Sequence, residues 1–249
     1  MSKKIVDIIK NAKNIVALTG AGISTNAGIP DFRGKNGIYT SGEYDPYKTF
    51  DIDYYKIDPS HFFRFAKSFL ELLKEAKPTK MHRYLTGLET IGKKVTIITQ
   101  NIDMLHEKAG SKNVLNLHGS IKSGYCLNCN RRFRFEEMES MLLKTGMLKC
   151  PDCNGLIKPD IVFFGEPVQY IKEAIEEIQK CDLLFILGTS LSISPANILP
   201  GYAREETYKV IINRGEVYYS GKNVIKIDDD LDSVAEYFTK EIINENTCP

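Results

Sequence analysis

Several features that identify whole classes of protein are missing from this chain of 249 residues. No apolar run approaches the length needed to span a bilayer, so we expect no membrane association. Lys and Arg number 33 against 32 Asp and Glu, which leaves a net charge of +1. With that balance we expect no direct nucleic-acid binding. The opening segment, MSKKIVDIIKNAK, has helical spacing but no signal-peptide core, which indicates a cytoplasmic protein.

Cysteine is scarce, and most of it lies in one pattern. Four of the six cysteines form two Cys-x-x-Cys pairs separated by twenty residues, Cys126 with Cys129 and Cys150 with Cys153. In a reducing compartment such pairs are metal ligands rather than disulfides. Four thiolates are typical of a closed structural zinc site; four unrelated buried cysteines are the weaker alternative. The nearby Arg131, Arg132 and Arg134 fit either a nucleic-acid-binding ribbon or, as the balanced charge favours, a solvated face.

Apolar, β-branched runs alternate with helical patterns along most of the chain. The runs lie at 15–19, 95–99, 183–187, 210–212 and 224–227. Helical spacing of apolar residues occurs at 79–91, 171–178 and 231–238. Continuous apolar runs suit strands that are buried on both faces. Their alternation with helices predicts an α/β fold with a parallel sheet covered on both faces.

Two segments break this alternation. Residues 35–77 begin with a Gly/Tyr/Asp-rich loop and end in a Phe-rich helix, and residues 121–158 carry the cysteine pairs. We interpret both as insertions that build a smaller lobe, with a ligand cleft between the lobes. The predicted large domain is 1–34, 78–120 and 159–249, and the predicted small domain is 35–77 and 121–158.

The stretch from 16 to 34, VALTGAGISTNAGIPDFRG, joins an apolar run to a glycine-rich turn. Such a turn brings backbone N–H groups against a pyrophosphate. We attribute Gly20, Gly22 and Gly28 to that approach, because a Cβ would block it. The stretch therefore predicts a dinucleotide site. Phe32 and Arg33 are typical of a loop that folds over the ligand.

Polar residues follow the next apolar run. Gln100, Asn101 and Asp103 come directly after 95–99, at the sheet edge where α/β proteins bind ligands. The alternative is that Asn and Asp cap the following helix. His118 ends an apolar stretch and precedes a glycine, where a neutral imidazole is suited to act as a general base. Local hydrogen bonding is the alternative for this histidine.

The later apolar runs end in the same way. Gly188 and Thr189 follow the run 183–187, and Asn213 follows the run 210–212. Because the carboxyl ends of parallel strands lie at one edge of a sheet, we expect these loops to converge on one dinucleotide.

Together these segments resemble the sirtuins, which are NAD-dependent protein lysine deacylases. The matching motifs occur in family order and are GAGISTNAGIPDFR, TQNID-x-LH-x-x-AG, LHG, the paired Cys-x-x-Cys, VFFGE and GTSL-x-x-x-PA. The resemblance implies a large Rossmann-like lobe, doubly wound, and a small lobe made of a four-cysteine zinc ribbon and a helical module. It implies one structural Zn²⁺ and NAD as co-substrate. The implied activity removes acetyl groups from lysines of proteins or peptides and yields nicotinamide and O-acetyl-ADP-ribose.

Two alternatives to deacetylation remain open at this point. One is mono-ADP-ribosyl transfer, which would use the same NAD site with a different nucleophile. The other is a non-enzymatic NAD-binding sensor. The presence of His118 favours an enzyme, because a pure binder has no need of a base in the cleft.

The resemblance also implies roles for individual residues. The implied catalytic residues are His118 and Asn101. The implied cofactor-binding residues are Gly20, Ala21, Gly22, Thr25, Asp31, Phe32, Arg33, Gln100, Asn101, Ile102, Asp103, Gly188, Thr189, Ser190, Asn213, Asp230 and Leu231. The implied substrate-binding residues are Val162, Phe163, Phe164, Gly165, Glu166, Ser190, Leu191 and Ser192. The acyl-lysine would enter a tunnel that passes Val162 and Phe164, and its peptide would add as a strand between segments 163–166 and 190–192.

Two regions depart from the family's pattern. The last cofactor contact falls in the acidic run 228–232, and we assign it there to Asp230 and Leu231. Sirtuins that prefer acidic acyl groups carry a Tyr-x-x-Arg pair in the small-lobe helix. Here Phe65 and Ser68 occupy the equivalent positions. We therefore expect acetyl or longer apolar acyl groups rather than succinyl.

Overall fold

A computed structural model describes residues 3–32, 34 and 37–243. The strands in these residues are β1 (Asn14–Thr19), β2 (Lys94–Thr99), β3 (Val114–Asn116), β4 (Gly119–Cys126), β5 (Arg132–Arg134), β6 (Ile157–Ile161), β7 (Leu183–Leu187), β8 (Tyr208–Ile212) and β9 (Val224–Ile227). The α-helices are α1 (Lys3–Asn11), α2 (Pro46–Phe50), α3 (Ile52–Ile57), α4 (Ser60–Glu75), α5 (Lys80–Thr90), α6 (Leu105–Ala109), α7 (Phe135–Thr145), α8 (Ile171–Lys180) and α9 (Leu231–Phe238). Shorter helical turns lie at Ala21–Ile23, Thr25–Ala27, Ala196–Tyr202 and Thr239–Ile243. Of the helices in the described ranges, none has the length and apolar character that crossing a membrane requires.

The larger sheet confirms the predicted parallel arrangement. Its strands lie in the order β3-β2-β1-β7-β8-β9, and every neighbouring pair is parallel. The chain adds strands on one side of β1 and then on the other, so the order reverses between β1 and β7. In sheets of this kind, ligands bind outside the carboxyl ends of the strands at the point of reversal. That point lies just beyond Thr19 and Leu187.

Successive side chains of the central strands point to opposite faces of this sheet. In β1, Ile15 and Ala17 join a core cluster with residues of α1, α5 and α9. Val16 and Leu18 join a different cluster, with residues of α8 and of the turn Ala196–Tyr202. The sheet is thus covered on both faces, as the uninterrupted apolar runs predict.

Local capping explains where two of the covering helices begin. The backbone N–H of His82 donates to Oγ1 of Thr79, and Nδ1 of His82 accepts from the backbone N–H of Thr79, which starts α5. The carboxylate of Asp230 accepts from the N–H groups of Asp232 and Ser233, which starts α9. Free N–H groups in the first turn of these helices are therefore satisfied by the residue that precedes each helix.

A second, antiparallel sheet has the strand order β5-β4-β6. It shares a core cluster with the Phe-rich α4 and with α7, in which the aromatic rings of Phe62, Phe65 and Tyr55 are buried. The predicted domain boundary at 120/121 falls inside β4, and the one at 158/159 falls inside β6. The division into domains stays a prediction, with the pairing of β4 and β6 crossing both boundaries.

Candidate functional site

The loops that follow β1 and β7 pack directly on each other. The N–H of Gly20 donates to the carbonyl of Leu187 (3.0 Å), and the N–H of Gly22 donates to that of Gly188 (2.9 Å). A Cβ on Gly22 would lie 2.7 Å from the Cα of Gly188. We expected these glycines to make room for a pyrophosphate. The structure shows a second reason for glycine here, which is the close approach of one loop to the other at the point where strand order reverses; the approach to a pyrophosphate stays a prediction.

The segment after β2 binds to the loop after β1. Nδ2 of Asn101 lies 3.2 Å from the carbonyl of Gly20 and 3.2 Å from Oγ of Ser24. Oγ of Ser24 donates to Asp103 at 2.6 Å. Nε2 of Gln100 donates to Oγ1 of Thr189 at 3.2 Å, which adds the loop after β7. Three strand ends are thus tied together, as the sequence predicts.

Asp103 accepts hydrogen bonds both from this network and from the start of α6, whose N-cap residue is Met104. Its second carboxylate oxygen accepts from the N–H of Leu105, the first residue of α6, at 2.9 Å. The side chain is 4% exposed. Burial raises the pKa of Asp103 above its ordinary value, against the hydrogen bonds from Ser24 and Leu105, which lower it. The two interpretations of this residue are therefore compatible. Sequence reasoning did not single out Ser24, whose hydroxyl joins Asn101 and Asp103; its place inside the glycine-rich stretch was the available signal.

His118 lies between β3 and β4 and is half-buried. Its Nδ1 is 2.9 Å from the carbonyl oxygen of Gln100. Because a carbonyl can only accept, Nδ1 carries the proton and the neutral ring presents a lone pair at Nε2. Burial lowers the pKa of His118 below its ordinary value, while the hydrogen bond to Gln100 acts in the opposite direction. The ring is therefore neutral at pH 7, and it can accept a proton.

The residues of the expected ligand-covering loop are anchored to the small-lobe aromatics. The ring of Phe32 lies 5.2 Å from that of Tyr39 and 6.3 Å from that of Phe50, centroid to centroid. The carboxylate of Asp31 accepts from the N–H of Gly34 at 2.7 Å. Arg33, which we expect to contact the cofactor, lies outside the described residues.

The segment that we expect to bind the peptide has one buried and one exposed aromatic side chain. Phe163 is 1% exposed and packs against Tyr55 and Phe62, at 5.2 and 5.1 Å between ring centroids. Phe164 is 46% exposed. Its N–H donates to the carbonyl of Phe50 (2.7 Å) and its carbonyl accepts from Ile52 (3.2 Å). Phe163 can therefore offer a ligand only its backbone, whereas the side chain of Phe164 is accessible.

The opposite peptide segment follows β7. Oγ of Ser190 and Oγ of Ser192 are 2.8 Å apart, and both residues are exposed. The N–H of Leu191 donates to Oγ1 of Thr189 at 3.2 Å. Leu191 has a φ of 55°, and its side chain packs against the core on one face of the large sheet. Ser190 and Ser192 are therefore the members of this segment whose side chains are open to solvent.

The last residues that we expect to contact the cofactor are Asn213, Asp230 and Leu231, and each of them contacts other residues of this chain. The carboxylate of Asp230 caps α9 and also accepts from Nδ2 of Asn26 (3.0 Å) and from Arg214 (3.1 Å). Leu231 is 7% exposed and belongs to the core. Asn213 follows β8 and donates from Nδ2 to the carbonyl of Arg214 at 3.0 Å. The Asp230 tie joins this end of the site to the loop after β1.

The four paired cysteines converge on one point. Their sulfur atoms all lie within 4.8 Å of one another. The Cys126–Cys153 and Cys129–Cys150 sulfur pairs are 3.4 and 3.7 Å apart. Those separations fit the edge of about 3.8 Å of a tetrahedron with zinc–sulfur bonds of about 2.3 Å, and exceed the ~2.05 Å of a disulfide. The residues present therefore fit a structural zinc ion.

Both cysteine pairs adopt the same turn. Asn130 and Asn154 follow the second cysteine of each pair with φ of 59° and 58°. Their N–H groups donate to the carbonyls of Cys126 and Cys150, at 3.0 and 2.9 Å. Asn tolerates this left-handed conformation better than most residues. The Cys-x-x-Cys-Asn pattern, present twice, was a signal for these turns that the sequence reasoning did not use.

The three arginines beside the cysteines face carboxylates. Arg131 pairs with Asp152 at 2.6 Å, Arg132 pairs with Asp160, and Arg134 lies 3.7 Å from Glu137. Each positive charge is thus balanced locally, which agrees with the interpretation as a solvated face.

Comparison with known proteins adds an independent line of evidence. A sequence model described as the Sir2 family matches residues 20–195. An NAD-dependent protein deacetylase of Thermotoga maritima is 40% identical over 242 residues, which cover 96% of this chain and 97% of that protein. Another, of Saccharolobus solfataricus, is 40% identical over 239 residues, 96% of this chain and 91% of that protein. A solved structure described as Sir2 with a p53 peptide and NAD⁺ has a TM-score of 0.86 and 38% identity, covering 97% of this chain and 98% of that one.

Proposed function

Because the chain belongs to the Sir2 family, we propose that it acts as an NAD-dependent deacetylase on acetyl-lysine in proteins or peptides. The relatives at 40% identity are deacetylases of this kind, and they are covered almost end to end. The observation that carries the proposal is the neutral imidazole of His118 beside the network of strand-end loops. A binding protein has no use for a base held in this tautomer.

NAD, when bound, supplies the ribose that accepts the acetyl group and the nicotinamide that leaves. We assign to Nε2 of His118 the task of accepting a proton from a ribose hydroxyl. Nδ1–H, fixed on the carbonyl of Gln100, keeps the lone pair of Nε2 pointing away from that carbonyl. Because burial lowers the pKa of this ring, it is unprotonated and ready to act at neutral pH. Asn101, 6% exposed, is assigned to the same centre.

The proposed cofactor site lies beyond the carboxyl ends of β1 and β7, where the strand order reverses. We assign the pyrophosphate end to Ala21, Gly22 and Thr25, on the short helical turns after β1. Phe32, packed on the small-lobe aromatics, would cover the reacting centre and exclude water. We assign the adenosine end to Thr189 and to Asn213.

An apolar cavity supports a preference for uncharged acyl groups. It has a volume of about 50 Å³ and lies between α4 and α7, with Ile102 in its wall. Its other lining residues are Phe62, Phe65, Ala66, Phe69, Leu70, Ile121, Phe135, Met138, Glu139, Leu142, Leu148, Pro159 and Ile161. Among these described residues there is a carboxylate and no cation. We assign the far end of the acyl chain to this space, where a succinyl carboxylate would have no charged partner, which is unfavourable. We therefore propose acetyl or longer apolar acyl groups.

The test is an assay of nicotinamide release with an acetyl-lysine peptide and NAD. We expect release only when the peptide is present, together with O-acetyl-ADP-ribose and free lysine. His118→Ala should reduce this rate by about a hundredfold or more, the usual contribution of a positioned general base. His61→Ala, which alters a half-buried histidine on α4, should leave the rate unchanged.

The outcomes separate the alternatives. NAD consumption with ADP-ribose attached to the protein partner, and no loss of acetyl groups, would show mono-ADP-ribosyl transfer instead. NAD binding without any turnover would show a sensor. Near-normal deacetylation by His118→Ala would remove the assignment of the base. A panel of acetyl, succinyl and myristoyl peptides measures the acyl preference.

We also propose a cytoplasmic location and no direct nucleic-acid binding. Cysteine thiols arranged as metal ligands suit a reducing compartment. The arginines beside them are balanced by carboxylates, so no unpaired basic patch is formed there. Fractionation of the cells and a DNA- and RNA-binding measurement at physiological salt test the two statements.

A further inference from the structure

We propose that Lys158 is a positioning residue for the acylated peptide: with Glu166, its buried ammonium fixes the backbone of residues 163–166. The inference rests on the proposed function, because it concerns the segment to which we assign peptide binding. It does not assign any contact between Lys158 and the substrate.

Lys158 is an unusual lysine because it lies on β6 in the interior. Its side chain is 3% exposed, whereas lysine is almost never fully buried unless its charge is paired. Nζ donates to the carbonyls of Pro159 (3.2 Å) and Ile161 (2.8 Å). It also lies 2.8 Å from the carboxylate of Glu166. An ammonium has three donors, and each of them has an acceptor here.

The ammonium also lies over an aromatic ring of the same segment. Nζ is 4.7 Å from the ring centroid of Phe163 and 5.9 Å from that of Tyr125. A cation at such distances from a ring face is attracted by it. Phe163 is thus in contact with the rings of Tyr55 and Phe62 and with the charge of Lys158.

Glu166 transmits this anchor to the backbone. The carboxylate oxygen that pairs with Lys158 also accepts from the N–H of Phe163 at 2.8 Å. The N–H of Glu166 in turn donates to the carbonyl of Phe163 at 3.0 Å. Gly165 completes the turn with a φ of 90°. The turn from 163 to 166 is therefore closed by two bonds, and its carboxylate is held in place by the buried lysine.

The backbone at the end of β6 is in contact with the backbone of His118, the proposed base. The N–H of Val162 donates to the carbonyl of His118 at 2.8 Å. A Cβ on Gly119, which has a φ of 73°, would lie 1.9 Å from the carbonyl of Asp160. The backbone at 118–119 and the backbone at 160–162 are thus in direct contact. Fixing 163–166 relative to β6 also fixes it relative to His118.

A positioning role and a merely structural role give different kinetics. Loss of folded protein lowers the apparent kcat without changing the KM of the remaining enzyme. A displaced peptide segment raises the KM for peptide, while the NAD site, built on the large sheet, keeps its KM. The split between the two KM values is therefore the decisive measurement.

The experiment uses the full chain, with an acetyl-lysine peptide and NAD varied separately. For Lys158→Met we expect the peptide KM to rise about tenfold, a change equivalent to about 1.4 kcal/mol. The NAD KM should change by less than about twofold on the same scale. Adding Glu166→Gln to Lys158→Met should recover much of the loss, because the neutral amide can accept from Phe163 without being left as a buried unpaired charge.

A matched control comes from the large sheet. Lys94 pairs with Glu177 at 2.7 Å, and the carboxylate of Glu177 is 23% exposed against 22% for Glu166. Lys94→Met therefore breaks a pair with a similarly exposed carboxylate away from the peptide segment, and its lysine, unlike Lys158, is 56% exposed rather than 3%. It should leave both KM values unchanged.

If Lys158→Met does not fold, Lys158→Gln takes its place, because its amide removes the charge that pairs with Glu166 and can still donate to a carbonyl. It should raise the peptide KM several-fold and leave the NAD KM unchanged. An unchanged peptide KM in the folded variants, or equal changes in both KM values, would overturn the proposal. A wild-type protein without deacetylase activity would instead overturn the proposed function.

Discussion

Replacing His106 by Gln should make the folded protein less sensitive to acid. His106 lies on α6 and is 1% exposed. Its Nε2 is 3.0 Å from Oγ1 of Thr19, at the end of β1, while its Nδ1 is buried without a partner. The ring of His82 lies 4.5 Å away, centroid to centroid. Two uncharged imidazoles thus lie in contact, and a positive charge on either would have no carboxylate in hydrogen-bond contact among the described residues.

The size of the effect follows from the two states of this ring. Burial lowers the pKa of His106 from 6.5 to about 3. Below pH 6.5 the unfolded chain takes up a proton at this position and the folded chain does not until about pH 3, so acid favours unfolding. The resulting penalty grows from about 0.2 kcal/mol at pH 7 to about 2.1 kcal/mol at pH 5. Above about pH 7 the uncharged ring of His106 therefore costs the folded protein almost no stability. The loss of stability grows as the pH falls from 6.5 towards 3. Burial also lowers the pKa of His82, which acts in the same direction.

The assay is urea unfolding at pH 7 and at pH 5, with the zinc content checked at both. The free energy of unfolding of the wild type should fall between the two pH values by about 2 kcal/mol more than that of His106→Gln. His61→Gln should show the wild-type difference, since the ring of His61 is partly open to water in the folded protein. An equal fall in the wild type and in His106→Gln would show that the folded protein already accommodates a charged ring there.

Three further outcomes follow from the structure. Gly188→Ala should destabilise the protein more than Gly92→Ala in thermal unfolding. Both glycines have a positive φ, but of the two only Gly188 would place a Cβ against backbone, 2.4 Å from the nitrogen of residue 23. Equal losses of stability would contradict the loop contact. Metal analysis should find about one zinc per chain, lost in Cys150→Ala and kept in Cys181→Ala, whose cysteine lies outside the set; metal retained without Cys150 would exclude a four-sulfur site. Deacetylation should fall as the pH decreases through the pKa of His118, and that inflection should lie below 6.5 because burial lowers it; an inflection above 6.5 would contradict a desolvated base.

Elements with a clear apolar run or helical period could be predicted closely from the sequence. The strand at 183–187 and the helix at 231–238 have the predicted bounds, and the strand at 224–227 does as well. Each is marked by a clear period or by a polar cap next to it, such as Asp230. Val114–Asn116 was not predicted as a strand, because three half-buried residues carry too short a pattern. The pairing of β4 with β6 was missed for another reason: the partners are far apart in sequence, and no local signal states which strands meet.

For the candidate site, too, some features could be predicted from the sequence and others could not. The cysteine set and the polar residues after 95–99 could be predicted, since their chemistry is tied to residue type and spacing. The sequence does not show that Phe163 is buried while Phe164 is exposed, because both belong to one apolar run. Nor does it show that Lys158 is interior, since isolated lysines are usually solvated.

What the sequence determined by itself was therefore chemical identity: which side chains can bind a metal, accept a proton or leave room for a close backbone approach. The tertiary structure alone decided which of these groups meet. It brought Gly22 against Gly188, and the ammonium of Lys158 against the carboxylate of Glu166. It also brought Nδ1 of His118 within hydrogen-bond distance of the carbonyl of Gln100, which follows another strand. The physical reason is that residue type and periodicity act over a few residues of chain. Desolvation and hydrogen-bond partnership, in contrast, depend on elements that come together only when both sheets have formed.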